Sequence, residues 1–109
     1  MLPPLEIEVI EARAAHARGG LFLDVREAAE QTQGICLGAT CIALSNGIDA
    51  ILDWARAQSV PVHVLCAVGA RSLHVAQVLR AAGIAATSVH GGMQQWRLQG
   101  GAIATPVTT

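Results

Sequence analysis

Apolar residues along the chain come in short runs, and stretches of helical period separate them. Val62–Cys66 is apolar and β-branched, stands after Pro61 and shortly before Gly69, and predicts a buried strand. Leu21–Leu23 predicts a second, stopped by Asp24, and Ala86–Val89 a third. Ile7–Ile10 and Thr40–Leu44 predict two more. Leu73, Ala76, Val78, Leu79 and Ala82 line one side of a helix over Ala70–Ala82, which Gly83 closes. Ile48, Ile51, Leu52 and Ala55 do the same for a helix over Asn46–Gln58, broken by Ser59–Pro61. Glu11–Arg18 is alanine-rich and ends at Gly19-Gly20; Arg26–Gln33 is polar and ends at Gly34. A last short helix follows His90-Gly91-Gly92 and contains Trp96, and the tail after Gly101 is expected to be loose.

Strand and helix therefore alternate along the chain. Short strands joined by helices pair in parallel, and the helices cover both faces of the sheet. The expected fold is α/β: a central, mostly parallel sheet of about five strands with helices on both faces. It is expected to form one domain over residues 1–109, with a core over about 5–103. Such sheets bind ligands beyond the carboxyl ends of their strands, which directs attention to where Leu23 and Leu65 finish.

Composition narrows the function. With 109 residues, 52% of them hydrophobic and 14% charged, the chain is neither disordered nor too short for a core of its own. The net charge is −1, and all seven basic residues are arginine, which gives no dense basic patch for nucleic acid. Without lysine, Schiff-base and pyridoxal-phosphate chemistry have no amine to use. Phe22, Trp54 and Trp96 are too few and scattered to stack single-stranded bases. The cysteines Cys36, Cys41 and Cys66 are odd in number, and Met1–Leu5 runs into Glu6 and Glu8 rather than into a secretory signal. A reducing, cytoplasmic setting is the expectation. Gly34–Leu52 carries one charge, Asp49, in nineteen positions, but Ser45-Asn46-Gly47 interrupts it. The window reads as a strand and an amphipathic helix, and no membrane segment is expected.

The chemistry gathers at two strand ends. One carries Asp24-Val25-Arg26-Glu27, the other Cys66-Ala67-Val68-Gly69-Ala70-Arg71-Ser72 with a helix directly behind. A cysteine there meets unsatisfied backbone N–H groups, the positive end of the helix dipole and the Arg71 cation. Such settings lower a cysteine pKa and hold a thiolate in an anion-binding cradle. Ala67, Gly69 and Ala70 are small enough for the backbone to curl round the sulfur. No side chain of the loop suits proton transfer, which favours a group carried on sulfur over hydrolysis.

These blocks resemble the single-domain rhodaneses, sulfurtransferases that hold a persulfide on one cysteine. Leu23–Glu27 is similar to that family's early strand-end signature, and Cys66–Ser72 to its Cys-x-x-Gly-x-Arg-Ser loop. Gly91–Trp96 followed by Gly100 resembles its Gly-Gly-x-x-x-Trp block. The resemblance spans Leu21 to about Ile103. Rhodanese-like phosphatases carry a wider Cys-x5-Arg loop; Cys66 to Arg71 is Cys-x4-Arg, which favours sulfur over phosphate or arsenate. The chain departs from the family where Gly-His-Ile-Pro-Gly-Ala is replaced by Gly34–Ala39, and where Cys41 stands at a frequent asparagine position.

The resemblance implies that Cys66 takes sulfane sulfur from thiosulfate or another persulfide donor and passes it to cyanide, a thiol or a protein acceptor, with no cofactor. It implies that the amides of Ala67, Val68, Gly69, Ala70, Arg71 and Ser72 hold the persulfide. The resemblance implies that Arg71 attracts the anionic donor or stabilises the persulfide anion; the alternative is that it pairs with Asp24 or Glu27 and holds the loop in shape. Asp24 and Arg26 support the loop, and Ser72 reads as a helix cap. An alternative is a non-catalytic or redox-sensing rhodanese module that binds a protein partner. Cys36 and Cys41 read as small residues in or near the third strand, unless one comes within disulfide reach of Cys66. His63 and Cys66 point to opposite faces of a strand, so no metal site is expected. His74 and His90 read as surface or packing residues, and Trp96 as a core anchor.

Overall fold

Along Val62–Leu65 (β5), Val62 and Val64 face one side of the sheet and His63 and Leu65 the other. This alternation divides the core in two. The computed structural model describes residues 3–106. In chain order they form β1 (Glu6–Ile7), α1 (Val9–Ala17), β2 (Leu21–Asp24), α2 (Ala28–Gln31), β3 (Ile35–Cys36), β4 (Thr40–Cys41) and α3 (Ile48–Arg56). After β5 come α4 (Ala70–Ala81), β6 (Ala86–Val89), α5 (Gly92–Leu98) and β7 (Ile103–Ala104). The main sheet has the order β1-β6-β5-β2-β4, every pair parallel, and β3 and β7 form a separate antiparallel pair.

On one face, Val62, Val64, Leu23 and Ala86 pack with Ile51 and Ala55 of α3 and Val75, Ala76 and Leu79 of α4. On the other, Phe22, Leu65 and Val89 pack with Val9, Ala12 and Ala15 of α1 and Met93 and Trp96 of α5. The α/β architecture with helices on both faces is the one the periodicity predicts. After β2 the chain turns outward to β4, and β5 returns on the other side of β2. The sheet's switch point therefore lies between the carboxyl ends of β2 and β5.

Several boundaries differ from the sequence reading. Ile7–Ile10 is not one strand: Val9 opens α1, because Val9, Ala12 and Ala15 meet the core at helical spacing while Ile10 is exposed. The helix expected over Arg26–Gln33 shrinks to α2, because the Arg26 amide donates to Asp24 Oδ1 (3.0 Å) and turns the chain first. Thr40–Leu44 pairs regularly only over Thr40–Cys41. Beyond it, the Ile42 and Leu44 amides still donate to Asp24 and Val25 carbonyls, and a 3-10 turn follows over Leu44–Asn46. Gly47, at φ 101°, delays α3 to Ile48. The tail is not loose up to Ala104, since β7 pairs with β3. Ala102 O accepts the Trp96 Nε1–H (2.9 Å) and the Leu37 amide (3.0 Å). The apolar window Gly34–Leu52 is divided among β3, β4, the 3-10 turn and α3; among the described residues no helix is long and apolar enough to cross a membrane.

Trp96 links these parts. It is fully buried and lies against Phe22 with ring centroids 5.7 Å apart. Its indole also anchors the β7 segment. Trp96→Ala should lower unfolding free energy by about 3–5 kcal/mol. Urea unfolding measures this, and a loss under about 1 kcal/mol would show that the second core does not depend on the ring.

Candidate active site

Cys66 follows β5 directly and is 1% exposed. Its sulfur faces the α4 side of the sheet, and His63 lies on the other face against Phe22. Gly69 takes φ 109° at the N-cap of α4, a conformation that glycine adopts without strain. That turn brings the Gly69 amide to 3.1 Å from Cys66 Sγ. Ser72 Oγ lies 3.3 Å from the same sulfur. Burial pushes the Cys66 thiol up. Hydrogen bonding from the Ser72 hydroxyl and from the amides of Ser72, Gly69 and Val68 outweighs burial, and the thiol sits below its ordinary value. Of the loop amides expected to face the sulfur, that of Gly69 is hydrogen-bonded to it, and those of Val68 and Ser72 also help lower its thiol.

The end block closes the loop. The Met93 amide donates to Cys66 O (2.8 Å) and the Gln94 amide to Ala67 O (3.0 Å). A Cβ on Gly92 would lie 2.3 Å from Cys66 O, and one on Gly69 would lie 3.3 Å from the Gly91 amide nitrogen. Gly92 of the block and Gly69 of the loop thus allow the close backbone approach between the two segments, a role that motif spacing alone does not reveal.

Asp24 and Arg26 form a buried ion pair at 2.7 Å. Arg26 also donates to Gly34 O (2.8 Å) and Glu30 O (3.3 Å), so the pair fixes α2 and the turn after it rather than touching the Cys66 loop. The residue that reaches the loop is Glu30, which the sequence reading missed. Its carboxylate receives both terminal nitrogens of Arg71, at 2.7 and 2.8 Å. Arg71 therefore pairs with Glu30, not with Asp24 or Glu27. Ser72 also departs from expectation: the N-cap is Gly69, and the Ser72 hydroxyl donates to Gly69 O (3.2 Å) and adjoins Ser88 Oγ (2.7 Å). Beside the loop opens a cavity of about 450 Å³, lined by Arg26, Glu30, Gln33, Ala67, Val68, Met93, Gln94 and Arg97.

A profile of the rhodanese-like domain matches residues 8–99. The chain belongs to the rhodanese-like domain family. Such domains are in general sulfurtransferase modules. A rhodanese-related protein from Thermoplasma volcanium is 24% identical, with TM-score 0.81 over 94% of this chain and 100% of that one. A rhodanese-like domain protein from Staphylococcus aureus is 29% identical, with TM-score 0.71 over 85% of this chain and 91% of that one. A thiosulfate sulfurtransferase from Pseudomonas aeruginosa shares the fold at 22% identity and TM-score 0.79, over 94% of this chain but 20% of its own. Among curated proteins no significant match was found.

The other two cysteines of this rhodanese-like domain are set apart from Cys66. Cys36 is fully buried in the α1–α5 core, and burial, with the Asp24 charge, pushes its thiol up to about 12. Cys41 is exposed on the edge strand; burial of its thiol and then the Asp24 charge push it up, against Arg26. Cys41 is in register with Asp24, and Asp24 with Leu65. Two strand spacings of about 4.8 Å each separate Cys41 from the residue before Cys66, beyond direct disulfide reach. His74 is exposed, and the exposed His90 lies 3.2 Å from Glu8. Among the described residues no three His, Cys, Asp or Glu side chains group to hold a metal.

The Glu30–Arg71 pair makes a pH prediction. Its bond to Arg71 holds the Glu30 carboxyl at about 2, against an ordinary 4.5. The folded state binds that proton less readily than the unfolded chain, so the pair's stabilisation is complete above about pH 4.5 and fades as pH falls toward 2. Both partners are about one-third exposed, which keeps the contribution near 1 kcal/mol. Urea midpoints of the wild type should fall more than those of Glu30→Gln between about pH 5 and pH 3. Parallel declines would show that the pair does not stabilise the fold.

Proposed function

We propose that this rhodanese-like domain is a sulfurtransferase that carries sulfane sulfur as a persulfide on Cys66, from thiosulfate or another persulfide donor to cyanide, a thiol or a protein acceptor. The observation that carries this reading is a buried sulfur met by the amides of its own loop and lowered in pKa without a neighbouring base. The Cys66 thiolate attacks the outer sulfur of thiosulfate. A new S–S bond forms, the donor's S–S bond breaks, and sulfite leaves with its electron pair. The acceptor then attacks the outer sulfur of the persulfide, and the Cys66 thiolate departs. The loop amides that face the thiolate are the donors available to the persulfide anion. Phosphoryl transfer would require the loop arginine on phosphate oxygens, and here both terminal nitrogens of Arg71 are held by Glu30. The three cysteines are unpaired, which supports a reducing, cytoplasmic setting.

Arg97 is the cation we assign to donor attraction. Of the arginines at the cavity, Arg26 is paired with Asp24. Arg97 donates to the Gln33 and Gly34 carbonyls, at 2.7 and 3.2 Å, and among the described residues has no carboxylate partner. Arg97→Gln should raise KM for thiosulfate by roughly 3–10-fold and leave kcat within about twofold, since it removes binding common to ground and transition states. An unchanged KM would assign donor attraction elsewhere.

Intact mass before and after incubation with thiosulfate tests the main reading. Wild type should gain one sulfur atom, cyanide should remove it, and Cys66→Ser should gain none. A double Cys36→Ser, Cys41→Ser variant should behave as wild type. Sulfur uptake by Cys66→Ser would overturn the mechanism. Failure of wild type with both thiosulfate and an organic persulfide would favour a non-catalytic, partner-binding module.

A further inference from the structure

Two serine hydroxyls lie beneath the Cys66 loop, both wholly buried: Ser72 on α4 and Ser88 on β6. Ser72 Oγ has three polar neighbours: Ser88 Oγ at 2.7 Å, Gly69 O at 3.2 Å and Cys66 Sγ at 3.3 Å. Ser88 Oγ has one among the described residues, Ser72 Oγ. A buried hydroxyl proton left without an acceptor is costly, so the Ser88 proton points at Ser72. Ser72 then has no reason to donate to Ser88, and its own proton has two destinations, Gly69 O or the sulfur.

We propose that Ser88 is a positioning residue for Cys66: by donating to Ser72, it reserves the Ser72 proton for the sulfur whenever the sulfur is an anion. This rests on the reading of Cys66 as the reacting group. In the thiol form, Cys66 S–H donates to Ser72 Oγ, and Ser72 donates to Gly69 O. When the Cys66 proton leaves to solvent, Ser72 O–H rotates from Gly69 O to the thiolate. Gly69 O keeps the Leu73 amide at 3.0 Å, so it is not stranded by the rotation. Ser88 O–H stays on Ser72 Oγ in both forms and polarises the Ser72 hydroxyl, which strengthens its bond to sulfur. The same donation is available when the charge lies on a persulfide. Around this pair the charged groups are few. Arg71, on the loop's own helix, is bound by Glu30. Arg26, Glu30 and Arg97 line the adjoining cavity, and β6 brings no charged side chain.

The test reads alkylation rather than sulfur transfer, so its failure and that of the sulfurtransferase reading are separable. The rate of iodoacetamide labelling is followed across pH by mass spectrometry of the peptide carrying Cys66. Ser88→Ala should move the midpoint to higher pH and slow labelling about threefold at a fixed pH below it. Ser88→Thr, which keeps the hydroxyl, should retain the wild-type midpoint. In a Ser72→Ala chain, adding Ser88→Ala should change nothing further, because Ser88 acts through Ser72. An unmoved midpoint in folded Ser88→Ala overturns the proposal. So do equal shifts in the Ala and Thr variants, or additive shifts in the double variant. If Ser88→Ala does not fold, a Ser88→Thr midpoint at the Ser72→Ala position overturns it instead.

Discussion

Burying a sulfur anion at the end of β5 removes it from water, and the surrounding structure must replace that solvation with fixed dipoles. The replacement depends on how the peptide groups of the loop are turned. Amides at the start of α5 draw the Cys66 and Ala67 carbonyls outward, while the amides of Val68, Gly69 and Ser72 act on the sulfur. Both effects require α5 to lie against the loop backbone. A Cβ at Gly92 would collide with it, so the polarity of the cradle depends on a glycine outside the cysteine loop itself. Trp96, one and a half turns along from Gly91, fixes the same helix into the core.

A second constraint is charge. The mouth of the site contains more arginine than the net charge suggests, and most of it is compensated internally. Asp24 holds Arg26, whose Nη2 also donates to Gly34 O and whose Nη1 donates to the Glu30 carbonyl. Glu30, placed by that brace, holds Arg71. The chain of contacts runs from a strand end through a short helix to the cysteine loop, and it immobilises the loop without placing a free cation on the sulfur. Arg97 is left facing the cavity with neutral partners only, among the described residues. Attraction of an anion and stabilisation of the thiolate are thereby assigned to different groups.

The parts of this arrangement that were legible in the sequence are those set by local rules. β5, α4 and β6 follow from a β-branched run, a helical period and a capping glycine, and they were placed to within a residue. The cysteine loop and its helix were visible for the same reason. Elements of two to four residues were not, because their boundaries depend on distant partners: β7 exists only through β3, and α2 begins only after Asp24 has turned the chain. The site divides in the same way. Cys66 and the loop glycine lie within one motif. Glu30 and Arg71 are 41 residues apart, and Ser72 and Ser88 are 16 apart on different elements. A glutamate or serine gives no sign of its partner across such a distance; only the parallel sheet brings the two together.

On the proposed sulfurtransferase reading, the placement of the cysteines bears on what the site does after it is loaded. A resolving thiol would convert a persulfide to a disulfide and release its outer sulfur within the same molecule. Cys41 lies two strands away in register, and Cys36 sits in the opposite core with its thiol pushed up to about 12. Neither is placed to attack. The loop itself carries no proton donor or base beyond the serine hydroxyl. A sulfur held on Cys66 therefore waits for an outside nucleophile. Its fate is set by what can approach Val68, which is 60% exposed and apolar beside the mouth, and Arg97, which is cationic. On that reading, selection among acceptors rests on the surface around the cavity rather than on the cradle beneath it.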